Sequence, residues 1–188
     1  YGYEIRNLTI NEPERDYVGL FGYVQYAKLK NIRIVNANIQ NSYSAYTGAI
    51  VGELYSSRLE MSSVTGAVYG ANTIGGLVGY NAYDSTIANS YFEGSVEGNS
   101  EVGGITGFNN GLVSRVYAAG SYVKGTDSVG GIAGFNNYGK IERSYALMDQ
   151  VYRKGTSGSY FGRIAGQLGN DPMLIDNAAL SSLTVCGD

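Results

Sequence analysis

Few groups in this chain could do chemistry, and the most suggestive are four acids, Glu93, Glu97, Glu101 and Asp127. Two carboxylates facing each other across a groove can cleave a glycosidic bond. Glu101 and Asp127 sit at neighbouring positions in the turns before two successive glycine phrases, within one or two strand spacings if the chain coils. The plainer reading, a solvated acidic turn, is favoured over catalysis. Arg115 and Arg143 could stand in for the basic residue of a polysaccharide lyase, but Glu142 beside Arg143 would point to the opposite face of an extended segment. The chain contains no histidine, which removes Ser-His-Asp and Cys-His arrangements and the His-Glu-x-x-His zinc site. Cys186 is the only cysteine, so a disulfide within the chain is excluded. It reads as a free thiol, with a bridge to another chain as the alternative. Neither an Asp-x-Asp-x-Asp loop nor a Gly-Gly-x-Gly-x-Asp nonapeptide is found. No catalytic residue, metal site or cofactor is expected, and any catalytic domain would lie outside this chain.

The elements that position these groups come from a repeat. Gly75-Gly76-Leu77-Val78-Gly79 returns as Gly103-Gly104-Ile105-Thr106-Gly107 and as Gly130-Gly131-Ile132-Ala133-Gly134. Looser copies close at Gly22, Gly52 and Gly166, so the closing glycines Gly22, Gly52, Gly79, Gly107, Gly134 and Gly166 are spaced by 30, 27, 28, 27 and 32 residues. Such a period marks a solenoid, a propeller or an array. A second phrase follows each glycine phrase, as in Ile87-Ala88-Asn89-Ser90-Tyr91 and Val113-Ser114-Arg115-Val116-Tyr117. A third completes the unit, as in Gly94-Ser95-Val96-Glu97-Gly98. Gly, Asn, Asp and Ser separate the phrases, residues that favour turns, and no apolar stretch keeps a 3.6-residue period.

The expected fold is therefore all-β: a parallel β-solenoid of about six coils of 27–32 residues, with three short strands per coil. Coils one strand spacing apart, about 4.8 Å, would make a rod of roughly 30 Å. A propeller blade needs four strands and about 40 residues, and the Leu-x-x-Leu-x-Leu signature of leucine-rich repeats is absent. Pro13 and Pro172 are the only prolines and lie towards the ends, as an uninterrupted ladder requires. Residues 1–188 are read as a single solenoid, with 1–15 and 167–188 as end or capping segments. Beginning at Tyr1 in mid-motif, the chain is expected to be a fragment or processed part of a longer one.

Stacked coils align their side chains in columns. Leu29, Leu59, Ile87, Val113 and Ile141 form one apolar column. Ile39, Val68, Val96 and Val123 form a second, and Val64, Phe92, Ala118 and Ala146 a third. All three are expected inside. The columns Asn31, Asn89, Arg115, Arg143 and Tyr91, Tyr117, Tyr145 alternate with them and should face out. Tyr91, Tyr117 and Tyr145, with Arg115 and Arg143, are the candidate ligand or partner surface, since tyrosine is enriched at interfaces and its ring can lie against a sugar. Tyr80, Phe108 and Phe135 form a second aromatic column. For both aromatic columns, mutual stacking that stabilises adjacent strands is the plainer reading. Asn81, Asn109 and Asn136 could bond up and down the rod as an amide ladder, with sugar recognition as the alternative.

A net charge of −3 and the absence of any basic block argue against a nucleic-acid partner or an anionic surface held by electrostatics. No apolar run is long enough to insert in a membrane as a helix. Charged residues are only 15% of the chain while Gly and Tyr are abundant, a balance commoner in secreted repeat proteins than in cytosolic enzymes.

Gly-Gly-Leu-Val-Gly-Tyr-Asn from Gly75 to Asn81, followed by Ile-x-Asn-Ser-Tyr and Gly-Ser-Val-x-Gly, resembles the GLUG motif. Residues 75–134 carry the resemblance best, and the sequence departs from it at Glu53-Leu54 and at Arg163. The resemblance implies a repeat region of a bacterial surface or secreted protein, such as filamentous-haemagglutinin-like adhesins or the N-terminal regions of immunoglobulin A proteases. It implies no family-wide catalytic residue. The expected role is a non-catalytic module of adhesion, or a structural rod that forms fibres head to tail, with a host or matrix glycan or protein as partner. An accessory or targeting module of a secreted protease or carbohydrate-active enzyme is the alternative.

Overall fold

The computed structural model describes residues 3–43 and 46–186. Of Cys186 only the backbone is described, so the pairing of its thiol lies outside the described residues. Among those residues every regular element is a β-strand, and each strand pairs in parallel with its counterpart one coil away. A central coil consists of Asn72–Gly75, Val78–Asn81, Thr86–Ala88 and Tyr91–Glu97. These pair with Ser100–Gly103, Thr106–Asn109, Leu112–Ser114 and Tyr117–Gly125 of the next coil. The four series, here called the first to fourth faces in chain order, form three six-stranded sheets and one nine-stranded sheet. The nine-stranded fourth face gains Ile5–Arg6 and Thr9–Asn11 at one end, and Ala178–Ala179 and Thr184–Cys186 at the other.

The fold is thus a β-solenoid of six coils, with four strands per coil where the sequence suggested three. The difference lies in the glycine phrase, which is two strands joined by a tight reversal at Gly76-Leu77. The closing glycines make this reversal possible. A Cβ on Gly79 would lie 2.6 Å from the amide nitrogen of Thr47 and 2.6 Å from the carbonyl oxygen of Gly52. One on Gly107 would lie 2.5 Å from the Ile74 nitrogen. Second-face strands therefore press backbone to backbone on first-face strands of the preceding coil, and only hydrogen fits between them. The apex residues Ile50, Leu77, Ile105 and Ile132 are driven into the core and are fully buried.

The three apolar columns are inside. Leu59, Ile87, Val113 and Ile141, then Ile39, Val68, Val96 and Val123, then Val64, Phe92, Ala118 and Ala146 have no exposed surface, and their registers align coil by coil. Leu29, in the first complete coil, is half-buried. The Asn31, Asn89, Arg115 and Arg143 column is exposed and forms a corner rather than a flat strip. All four residues, and Met61 and Asp176 in the same column, have φ between +49° and +59° (Met61 +50°, Asp176 +52°). Asn suits this left-handed conformation, whereas Arg and Met occupy it at a cost.

Candidate functional site

The outward tyrosines start the fourth-face strands, immediately after the left-handed corner, so ring and cation columns run side by side. Tyr91 and Tyr117 stack with ring centroids 4.7 Å apart and planes inclined by 5°. Their strands hold residues Tyr91, Tyr117 and Tyr145 in direct register. Tyr145 is half exposed and stands outside the stacked pair. Around it, Arg115, Tyr117, Arg143 and Asp176 line an open pocket. Arg115 Nε donates to Asn89 Oδ1 at 2.8 Å, which directs the guanidinium along the rod. The resulting surface has a flat aromatic step, a free ring edge and two cations. It can offer ring contact and anion or hydroxyl hydrogen bonds together.

The amides of Asn81, Asn109 and Asn136 take a different place. Each is fully buried where the second face ends. Asn81 Nδ2 donates to Asn109 Oδ1, and Asn109 Nδ2 to Asn136 Oδ1, both at 2.7 Å. The series closes with Asn136 Nδ2 donating to the Gly139 carbonyl at 2.9 Å. It is a ladder inside the rod, with no surface to offer a sugar. The glycines Gly22, Gly52, Gly79, Gly107, Gly134 and Gly166 likewise serve the backbone contact described above.

The four acids do not form one constellation. Glu97 is engaged by Lys154 at 3.1 Å and Lys124 at 3.9 Å. Glu93 is exposed on the fourth face. Glu101 and Asp127 lie on the first face, where Ser100 rather than Glu101 registers with Asp127. Glu101 accepts from Thr73 Oγ1 at 2.5 Å. Burial holds its carboxyl above the ordinary range, the Thr73 hydrogen bond pulls it partly back, and Asp127 adds a smaller upward push. Asp127 accepts from the Ser159 amide at 2.9 Å. Both acids thus bond from one coil to the next along the first face. Among the described residues no group of three or more His, Cys, Asp and Glu is placed to hold a metal ion.

A second outward surface was only partly visible in the sequence. The outward side chains of the first and second faces meet on one side of the rod, where Tyr46, Thr73, Tyr80, Glu101 and Phe108 line a pocket. Tyr80, Phe108 and Phe135 follow one another edge to face along the second face, with centroids 5.2 and 4.8 Å apart. Tyr46, on the first face, contacts Tyr80 at 5.2 Å. The chain of ring contacts continues through Tyr17, 5.7 Å from Tyr46, to Tyr23, 5.8 Å from Tyr17. Glu53 stands beside these rings, in register between Tyr23 and Tyr80. The available signal was Glu53 itself, the acid that breaks the Gly-Tyr-Asn pattern of the repeat.

Residues 70–97, the span of a single repeat, match the family model of the GLUG motif. The match covers one whole coil, Asn72 to Glu97, with the two residues before it, and it agrees with the resemblance read from the glycine phrases. No curated protein and no solved structure matches the chain.

Proposed function

We propose that this chain is a non-catalytic, extracellular bacterial repeat module that acts in adhesion. One observation carries the reading. A rigid parallel ladder holds the stacked Tyr91–Tyr117 pair, the half-exposed Tyr145, and the cations of Arg115 and Arg143 on one side of the rod. The core needs none of these groups, and tyrosine and arginine are the residues most enriched at binding hot spots. The partner class is a host or matrix glycan or protein. Binding of the chain to immobilised glycans and matrix proteins tests it, and Tyr117→Ala with Tyr145→Ala should abolish capture while the β-sheet circular dichroism is unchanged. Full capture by the double variant would refute the adhesive role of this surface.

A structural rod lengthened head to tail is favoured by a separate observation. Columns that are fully buried in central coils finish in exposed residues, Ile5 and Phe21 at one end and Leu174 and Val185 at the other. All four faces present parallel strand edges at both ends, so a second copy could continue the ladder. Fibres that appear in electron micrographs as concentration rises support this reading; a strictly monomeric species in sedimentation at high concentration refutes it.

A further inference from the structure

Glu53 carries a charge with no partner. Its carboxylate makes no hydrogen bond or ion pair among the described residues, although the residue is only partly exposed. Lys28 and Arg58, on the third face, both pair with Glu60, each at 3.1 Å. Removing a carboxylate from water without a counter-charge is costly, and burial holds this carboxyl above its ordinary range.

Aromatic rings surround it. Tyr23 and Tyr80 register directly with Glu53 from the coils on either side, one strand spacing away, about 4.8 Å. From the first face the circuit is closed by Tyr17 and Tyr46. Centroids are 5.8 Å apart for Tyr23–Tyr17, 5.7 Å for Tyr17–Tyr46 and 5.2 Å for Tyr46–Tyr80. These planes are inclined to one another by 68°, 45° and 44°. A hexose needs one flat ring face, and four rings tilted in this way offer no common plane. Tilted rings around a carboxylate suit a compact cation, which gains from each ring's negative face and from the charge itself. A quaternary ammonium is the cation that this chemistry favours. It donates no hydrogen bonds, so it surrenders little on leaving water and asks for no acceptor geometry beyond proximity.

We propose that Glu53, with Tyr17, Tyr23, Tyr46 and Tyr80, forms a binding site for a quaternary ammonium group of the choline type. It lies apart from the Tyr117–Tyr145 surface, being built on the first and second faces rather than at the third-to-fourth corner, and it does not depend on the adhesive reading. The probe is choline chloride, followed through the tyrosine ring signals in NMR against equal potassium chloride. The control is 3,3-dimethylbutan-1-ol, which has the same shape without the charge. Saturable shifts with choline, at least about tenfold weaker with the neutral isostere, are expected. Glu53→Gln keeps the size of the side chain and should weaken choline by about tenfold, and Tyr80→Leu should weaken it independently. Vesicles of phosphatidylcholine, run beside free choline, tell a lipid-borne group from a free or glycan-borne one. Equal binding of choline and its isostere, preference for glucose, unchanged affinity in Glu53→Gln, or no saturable shift with choline would each overturn the site.

Discussion

Asn109 Nδ2 donates to Asn136 Oδ1 across one coil at 2.7 Å, and Asn109 Oδ1 accepts from Asn81 Nδ2 at the same distance. The column is bounded by Leu54 before Asn81 and by Leu168 after Asn136. The ladder therefore has an unmatched beginning: Asn81 Oδ1 is buried without a hydrogen-bond partner. Buried amides are stabilising only when both ends are satisfied, so position within the column decides what each asparagine contributes.

Asn109→Leu should cost about 2 kcal/mol or more, because it strands the Asn136 acceptor and leaves the Asn81 amide only its long bond to the Leu112 carbonyl, at 3.4 Å. Asn81→Leu should cost less than about 1 kcal/mol. It removes the orphaned oxygen and extends an apolar column, while Asn109 Oδ1 keeps the Gly111 amide at 3.3 Å. Urea unfolding of the two variants checks the order, and equal losses would mean that the ladder acts as separate side chains.

Much of this was legible because a coil imposes the same spacing on every turn. Once Ile87, Val113 and Ile141 are aligned, burial of one implies burial of the rest. The count of strands was not legible. Gly75 to Gly79 reads as one short apolar phrase, and only the clash that a Cβ at Gly79 would make with the Thr47 backbone shows that it doubles back. The rings around Glu53 were hidden for a related reason. Tyr17 and Tyr46 lead into first-face strands, while Tyr23 and Tyr80 belong to second-face strands. Sequence columns connect residues one period apart, not residues brought together by a fold within the period. The Tyr91–Tyr117 pair, one period apart, was visible for the opposite reason.

Gly107→Ala tests the doubled phrase. Its new methyl group would meet the Ile74 nitrogen at 2.5 Å and the Glu101 carbonyl oxygen at 2.6 Å, both backbone atoms in a continuous ladder. Overpacking of this kind costs about 1–3 kcal/mol or more, which for a chain of this size lowers Tm by several degrees. The middle glycine column is the comparison, since Ala49 and Arg163 already occupy it. Arg163→Ala should leave the calorimetric Tm nearly unchanged. A Gly107→Ala protein as stable as the parent would remove the reason given for the closing glycines.

Glu101 gives the fold a pH dependence of predictable sign. Its folded-state carboxyl titrates above the ordinary value, chiefly through burial. Over the window from the unfolded-state pKa up to the raised one, the folded chain holds more protons than the unfolded chain, so stability falls as pH rises. Glu101→Gln removes the charge and keeps an acceptor for Thr73 Oγ1. The variant should melt above the parent at pH 7 and close to it at pH 4, where the parent carboxyl is mostly protonated. A larger gain at pH 4 than at pH 7 would reverse the assignment.

Met61 occupies the left-handed corner at φ +50° with its side chain half exposed, in the column that holds Asn31 and Asn89 at +59° and +49°. An unbranched side chain there costs about 1–2 kcal/mol relative to glycine, and asparagine recovers part of it by local hydrogen bonding. Met61→Asn should therefore stabilise the chain by roughly 0.5–1 kcal/mol while removing only an exposed apolar side chain. The reciprocal change, Asn89→Val, places a β-branched residue where one is least tolerated and also removes the acceptor for Arg115 Nε. Its Tm should drop by several degrees, since 1 kcal/mol is worth about 2–4 °C at this size. The Tyr91–Tyr117 stack begins two residues beyond this corner. Ring-current shifts of Tyr91 should therefore change in Asn89→Val and stay as in the parent in Met61→Asn. If both variants melt with the parent, the corner carries no strain, and the alternation of Asn with Arg and Met along it has no energetic meaning.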